Sequence, residues 1–211
     1  MKIHKLVFSP ISVNTYIVEA ENGDCTVIDC GCYDRGEFAH LEKFLTEKVL
    51  NPVLLLNTHC HLDHVFGNGM FLARYGLKTK ACRNEEDNLK NSPLHAMMYG
   101  MSMDAPPPIG EYIEDGQRVS FAGGEFEAIY VPGHTAGSIT WYSSARGVAF
   151  TGDALFAGGI GRTDLPGGDY ETLITNIKTR LLTLPPETVI YPGHGEPSTI
   201  GAEKKGNPWL S

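Results

Sequence analysis

Short alternating and apolar runs open the chain: Lys5–Phe8, Thr15–Ala20 and Thr26–Asp29 are rich in Val, Ile and Thr and read as strands. Glu21-Asn22-Gly23-Asp24, between the last two, carries hairpin turn residues. From Arg35 to Val49 the period changes. Phe38, Leu41, Phe44, Leu45 and Val49 recur at helical spacing. An apolar run at Val53–Leu56 then predicts a buried strand, and Val65–Tyr75 a helix stopped by Gly76. The second half repeats the style, with strands at Arg118–Phe121, Glu125–Val131, Ser138–Tyr142 and Val148–Thr151. A helix over Tyr170–Leu182 and a strand at Thr188–Tyr191 follow. Strands then helix, twice over, predicts an α/β (α+β) chain of two packed sheets with helices outside.

Ser92–Gly110 breaks this rhythm. It holds Met97, Met98, Met101 and Met103, then Pro106-Pro107-Pro108, and reads as irregular. Such a segment is either a lid or binding loop, for which flexible thioethers suit an adaptable apolar surface, or an ordinary loop packed on the core or at a subunit contact. With 211 residues, no internal repeat and no linker, a single domain over 1–211 is expected.

Composition removes several classes of partner. The net charge is −8 and no basic run is visible, which argues against nucleic acid. No apolar stretch approaches the ~18 residues of a membrane span, and Met1–Phe8 has no export-signal character. The cysteines, at positions 25, 30, 32, 60 and 82, are odd in number and scattered, and are expected as free thiols in a cytoplasmic protein. Cys30-Gly31-Cys32 lacks the two-residue gap of metal and redox motifs and reads as structural.

The densest chemistry lies in Thr58-His59-Cys60-His61-Leu62-Asp63-His64, just past the Val53–Leu56 strand. Imidazole is the commonest protein ligand for transition metals, and carboxylate suits the harder ones. His134 follows a strand through Pro132-Gly133, Asp153 another through Gly152, and His194 a third through Pro192-Gly193. Each candidate thus sits just beyond a strand, beside a glycine that lets the backbone turn. Ligands commonly bind outside the carboxyl ends of strands in layered α/β folds. Seven donors exceed one tetrahedral zinc but fit two ions about 3.5–4 Å apart, bridged by a carboxylate and a hydroxide. His59 and His61 share a face of an extended segment, which leaves Asp63 and His64 for a second ion. Cys60 points to the opposite face and is excluded as a ligand; His4, His40 and His95 lack such context. Asp29, at the end of a strand, can hydrogen-bond the second ring nitrogen of a ligand histidine.

This pattern, with its later histidine, Thr-Gly-Asp and final Gly-His, resembles the metallo-β-lactamase superfamily. The stretch from Thr151 to Asp164 (TGDALFAGGIGRTD) is similar, more narrowly, to its glyoxalase II (hydroxyacylglutathione hydrolase) branch. The resemblance implies a four-layered αβ/βα sandwich. It implies His59, His61 and His134 on a first metal, Asp63, His64 and His194 on a second, and Asp153 bridging, with Asp63 and Asp153 as catalytic carboxylates. It also implies a short form, because only Gly195–Ser211 follows the last histidine where longer members carry a C-terminal helical extension. Arg162 falls where those members place a glutathione-binding lysine, and is expected either to contact substrate or to pair with Asp164 and brace the loop. Glu196 and Asp164 stand where those members have tyrosines. Both replacements disfavour a carrier bearing carboxylates.

Two bridged cations bring water's pKa toward neutrality and supply hydroxide. No dedicated proton donor is evident, which favours a leaving thiolate over an amine. The expected function is therefore metal-dependent hydrolysis of a small-molecule thioester of the S-acylglutathione type. Zinc is the default metal; iron and manganese accept the same donors. The alternatives are a mononuclear iron persulfide dioxygenase, which the same histidines allow, and a lactone or ester hydrolase of the same fold. Oligomeric state is not encoded in any motif.

Overall fold

A computed structural model describes residues 2–121 and 124–210. They form two compact units, one of Met1–Tyr112 with Ser120–Gly124, the other of Ile113–Val119 with Glu125–Ser211.

The first unit opens with β1 (Lys2–Phe8), β2 (Val13–Glu19) and β3 (Asp24–Ile28), an antiparallel meander. Helix α1 (Arg35–Glu47) starts on Asp34, whose carboxylate accepts from the Glu37 amide and caps the helix. Its face of Phe38, Leu41 and Leu45 packs with Ile17, Val27 and Leu55 in one core cluster. Strand β4 (Asn51–Leu56) then lies parallel to β3. The helix expected from Val65 to Tyr75 is instead two pieces, α2 (Leu62–Val65) and α3 (Asn68–Tyr75). The break has a local cause. A Cβ on Gly67 would lie 2.5 Å from Cys30 Sγ and 2.9 Å from the Cys30 carbonyl oxygen, to which Gly67 donates its amide at 2.8 Å. Gly76 ends α3 in the left-handed conformation, φ 71°, as its position predicted.

Short β5 (Lys80–Ala81) leads through a 3₁₀ turn to α4 (Glu86–Met98), then β6 (Glu111–Tyr112) closes the sheet in the order β1-β2-β3-β4-β5-β6. Helix α4 corrects the expectation of an irregular 92–110, whose first part is helical. The helix runs through Pro93. A proline inside a helix cannot donate to the carbonyl four residues back. Here the Ser92 hydroxyl donates to that carbonyl, Leu89 O, at 2.8 Å. Met97 and Met98 are exposed, while Met101 and Met103 fold back on Leu62, Phe66 and Ala96.

The second sheet, most of it in the second unit, holds β7 (Arg118–Phe121), β8 (Gly124–Tyr130), β9 (Ile139–Ser143) and β10 (Val148–Gly152). A small hairpin of β11 (Leu155–Phe156) and β12 (Gly159–Ile160) follows, then α5 (Tyr170–Asn176), continued by a π-helical turn over Ile177–Leu181. Last come β13 (Val189–Pro192), β14 (Ser198–Thr199) and α6 (Ile200–Gly206). The sheet order is β14-β13-β10-β9-β8-β7. Leu173, Ile177 and Leu181 pack with Ile129, Ala149 and Ile190 to form this unit's core.

Strand direction matters more than order here. β8 and β10 are each antiparallel to β9, and β13 is parallel to β10. The carboxyl ends of β8, β10 and β13 therefore open on one rim. Among the described residues, no helix is long and apolar enough to cross a membrane.

Candidate metal centre

In the first unit the ligand-bearing loop leaves β4 at Asn57 and enters α2 at Leu62. Polar side chains hold it. Asn57 Nδ2 donates to His64 O at 2.8 Å, Asn68 Nδ2 donates to Asn57 Oδ1 at 2.9 Å, and the Cys60 amide donates to Glu85 Oε2 at 2.8 Å. This sets His59, His61, Asp63 and His64 together, all buried. The ligand atoms of His59 and His61, of His59 and His64, and of Asp63 and His64 lie within 4.8 Å of each other pairwise.

Asp29 organises this group. Its Oδ2 accepts from His64 Nδ1 at 2.9 Å and from Thr58 Oγ1 at 2.7 Å, and its Oδ1 accepts from the Thr58 amide at 2.8 Å. Donor counting then fixes two tautomers. A carboxylate only accepts, so His64 carries its proton on Nδ1 and presents a lone pair on Nε2. Thr58 spends its one hydroxyl proton on Asp29, so at 3.2 Å from His59 Nδ1 it accepts. His59 thus also presents Nε2. Asp29 sits at φ 55°, an uncommon conformation for a non-glycine. Thr15 helps to hold it there, donating to Asp29 O at 2.6 Å.

In the second unit, strand direction brings His134, Asp153 and His194 to one rim. Gly152 pairs with Pro192 in the β10–β13 register, and Gly193 donates its amide to Gly152 O at 2.8 Å, which places Asp153 beside His194. His134 Nδ1 donates to the Arg162 carbonyl at 2.7 Å, so its Nε2 is again the lone-pair nitrogen. Asp153 Oδ2 lies 3.7 Å from His134 Nε2 and 3.6 Å from His194 Nε2. In the first unit, Asp63 Oδ2 and His64 Nε2 are 3.7 Å apart. These separations exceed a hydrogen bond. They approach the edge of a tetrahedron around a zinc-sized ion, about 3.3 Å for ligand bonds of ~2.0–2.1 Å. Donor chemistry, tautomers and spacing in each unit therefore fit divalent cations.

Other side chains are accounted for. Cys60 lies in an apolar cluster with Val65, Ala81 and Leu89, and burial pushes its thiol well up from the ordinary value. Cys32, buried beside Cys30, is pushed up by the same desolvation. His4 meets Glu19 at 2.7 Å and His40 packs edge-on against Phe8. Arg162 and Asp164 form a bidentate pair at 2.7 and 2.7 Å, which lowers the Asp164 carboxyl to about 2 and keeps the pair formed across neutral pH. Sequence reading missed Asn57, Asn68 and Glu85, whose polar partners lie up to 28 residues away. It also missed Arg162 as a backbone acceptor, for which no sequence signal exists.

Two mixed sheets with helices, and buried to half-buried imidazole–carboxylate groups beyond the ends of their strands, define a metal-binding hydrolase. The chain belongs to the metallo-beta-lactamase superfamily, whose family model matches residues 9–194. It is 38% identical to the hydroxyacylglutathione hydrolase GloC of Haemophilus influenzae, over 100% of this chain and 99% of that protein. Among solved structures, the B3 metallo-beta-lactamase BLEG-1 superposes with a TM-score of 0.92 at 28% identity, covering 100% of both chains. TTHA1623, crystallised in a di-iron-bound form, superposes at 0.89 with 34% identity, covering 98% of this chain and 100% of that one.

Proposed function

We propose that this protein is a cytoplasmic thioester hydrolase that uses two divalent ions, zinc first among them, on S-acylglutathione-type substrates. In this reading His59, His61 and His134 hold one ion, Asp63, His64 and His194 the other, and Asp153 bridges. A single domain over 1–211 is part of the same reading. The observation that carries it is a single carboxylate oxygen, Asp153 Oδ2, faced by two imidazole nitrogens at 3.6 and 3.7 Å. That is the environment of a bridging ligand. The full-length identity to a hydroxyacylglutathione hydrolase supports the substrate class. The five buried free thiols suit a reducing compartment.

When bound, the ions supply acidified water and polarise the attacked carbonyl. The chain's own residues do the rest. Asp29, Thr58 and the Arg162 carbonyl keep the proton on Nδ1 of His64, His59 and His134, so that each Nε2 can ligate. With Oδ2 spent on an ion, Asp63 would take up the proton lost by the attacking water on its other carboxylate oxygen. A thiol of pKa about 8.5 departs as thiolate, so no further acid is required.

Metal analysis of the purified protein, together with hydrolysis rates on thioesters, lactones and β-lactams, tests this reading. Two ions per chain, loss of thioester hydrolysis on chelation and recovery with zinc or iron are expected. One iron per chain with persulfide-dependent oxygen uptake would replace hydrolysis with dioxygenation. Arg162 is the proposed contact for a carboxylate on the thiol carrier. Arg162→Ala is expected to raise KM for S-acylglutathione about 2- to 5-fold with kcat unchanged, as for an exposed charge contact. An unchanged KM assigns the side chain to bracing Asp164 alone.

A further inference from the structure

The β11–β12 hairpin, together with Gly161 and Arg162 just after it, touches all three candidate ligands of the second unit. The chain leaving β12 presents Arg162 O to His134 Nδ1 at 2.7 Å. Gly161 packs so closely on Asp153 that an added Cβ would lie 1.8 Å from the Asp153 carbonyl oxygen and 2.9 Å from His134 Nδ1. Phe156, on β11, meets the His194 ring edge-on, centroids 6.4 Å apart. Each hairpin strand is only two residues long, too short to hold such a position by its own pairing. An outside anchor is needed.

That anchor is on α6. Glu203 is 4% exposed and no step of the proposed reaction uses it. Its Oε2 accepts from the Gly158 amide, at the hairpin turn, at 2.8 Å and from Asn207 Nδ2 at 2.9 Å, while Ser198 Oγ donates to Oε1. Asn207 Nδ2 also donates to the neighbouring Gly159 O at 3.0 Å. The buried carboxylate thus grips both the turn and the side chain that grips the next residue. Buried polar clusters of this kind hold a single geometry because every alternative leaves a donor unsatisfied.

We propose that Glu203 is a positioning residue for the metal centre. By clamping the Gly158–Gly159 turn, it fixes the hairpin that orients His134, Asp153 and His194. The proposal rests on the metal-binding reading above and concerns a residue that is not itself a candidate ligand. Glu203→Gln preserves it in large part. The amide oxygen accepts from Gly158 and Asn207, and the Ser198 hydroxyl can turn to accept from the new amide. Glu203→Ala removes the clamp, and Asn207→Ala removes half of it.

The test has two readouts on each folded variant. Metal affinity is measured by chelator competition, and the hydrogen-bonded His134 Nδ1 proton is followed by NMR in metal-free protein. Glu203→Ala is expected to weaken metal binding about 10-fold or more, the usual range for partners that orient ligands, and to broaden or lose the His134 signal. Asn207→Ala falls between, and Glu203→Gln stays within about threefold of wild type. A folded Glu203→Ala with wild-type affinity and an intact His134 proton overturns the proposal. If Glu203→Ala does not fold, Asn207→Ala decides by the same two readouts. If the wild type itself binds no metal, the metal-centre reading fails, while the NMR signal still judges the clamp.

Discussion

Asp153→Asn is expected to lower kcat/KM by about 10³-fold, a loss of about 4 kcal/mol of transition-state stabilisation, most of it in kcat. The substitution keeps the volume and one oxygen, and removes the charge. Asp153 Oδ2 faces two imidazole nitrogens at 3.6 and 3.7 Å, and a neutral amide oxygen cannot bridge two cations as a carboxylate does. Bound metal should fall from two ions per chain to one or fewer, measured by elemental analysis on protein whose circular dichroism matches wild type. Retention of both ions with a rate within tenfold of wild type would remove Asp153 from its bridging role. The metal count of the wild type bears on the function directly, because two ions per chain fit hydrolysis and a single iron fits the dioxygenase alternative, in which Asp153 would be a ligand too.

Asp29→Asn is the second large effect, and it separates orientation from ligation. Asparagine tolerates the left-handed backbone at φ 55°, so the substitution tests the carboxylate and not the strain. Either amide orientation meets a conflict. With its NH₂ at the Oδ1 position it faces the Thr58 amide, a donor that cannot invert. At the Oδ2 position it faces the Thr58 hydroxyl and His64 Nδ1. His64 must then move its proton to Nε2 and lose the lone pair that would ligate. A buried unsatisfied donor beside a lost charge-assisted bond costs about 2–4 kcal/mol. For a chain of this size that is a melting point lower by roughly 5–15 °C. Metal affinity should fall about 10- to 100-fold. A variant with wild-type melting but weakened metal binding would confine Asp29 to tautomer control. Wild-type behaviour in both would show that Thr58 and Asn57 hold the loop without it.

The strands and the helices with a clean apolar stripe were legible along the chain. α1 begins at Arg35 as its spacing predicts, and β4, β9, β10 and β13 lie within two residues of their expected bounds. Elements without a periodic signal were not. Helix α4 has no clean apolar stripe, burying only Leu89, Ser92 and Ala96, and it runs through Pro93, where the Ser92 hydroxyl serves the Leu89 carbonyl that proline cannot. The β11–β12 hairpin escaped because two-residue strands carry no alternation. The single helix expected from Val65 was split by a close approach between Gly67 and Cys30, 37 positions apart in the sequence.

By itself the sequence determined the donor chemistry. It placed imidazoles and carboxylates just past strand ends, and it excluded Cys60 by the alternation that turns its side chain into the apolar cluster. Only the tertiary structure decided how those donors are held. Asp29 reaches His64 across 35 residues, Arg162 O reaches His134 across 28, and Glu203 reaches Gly158 across 45. Periodicity reports on neighbours a few positions apart, because it reflects the repeat of a single element. The hydrogen bonds that set a tautomer join separate elements, and they exist only once the sheets have brought those elements together.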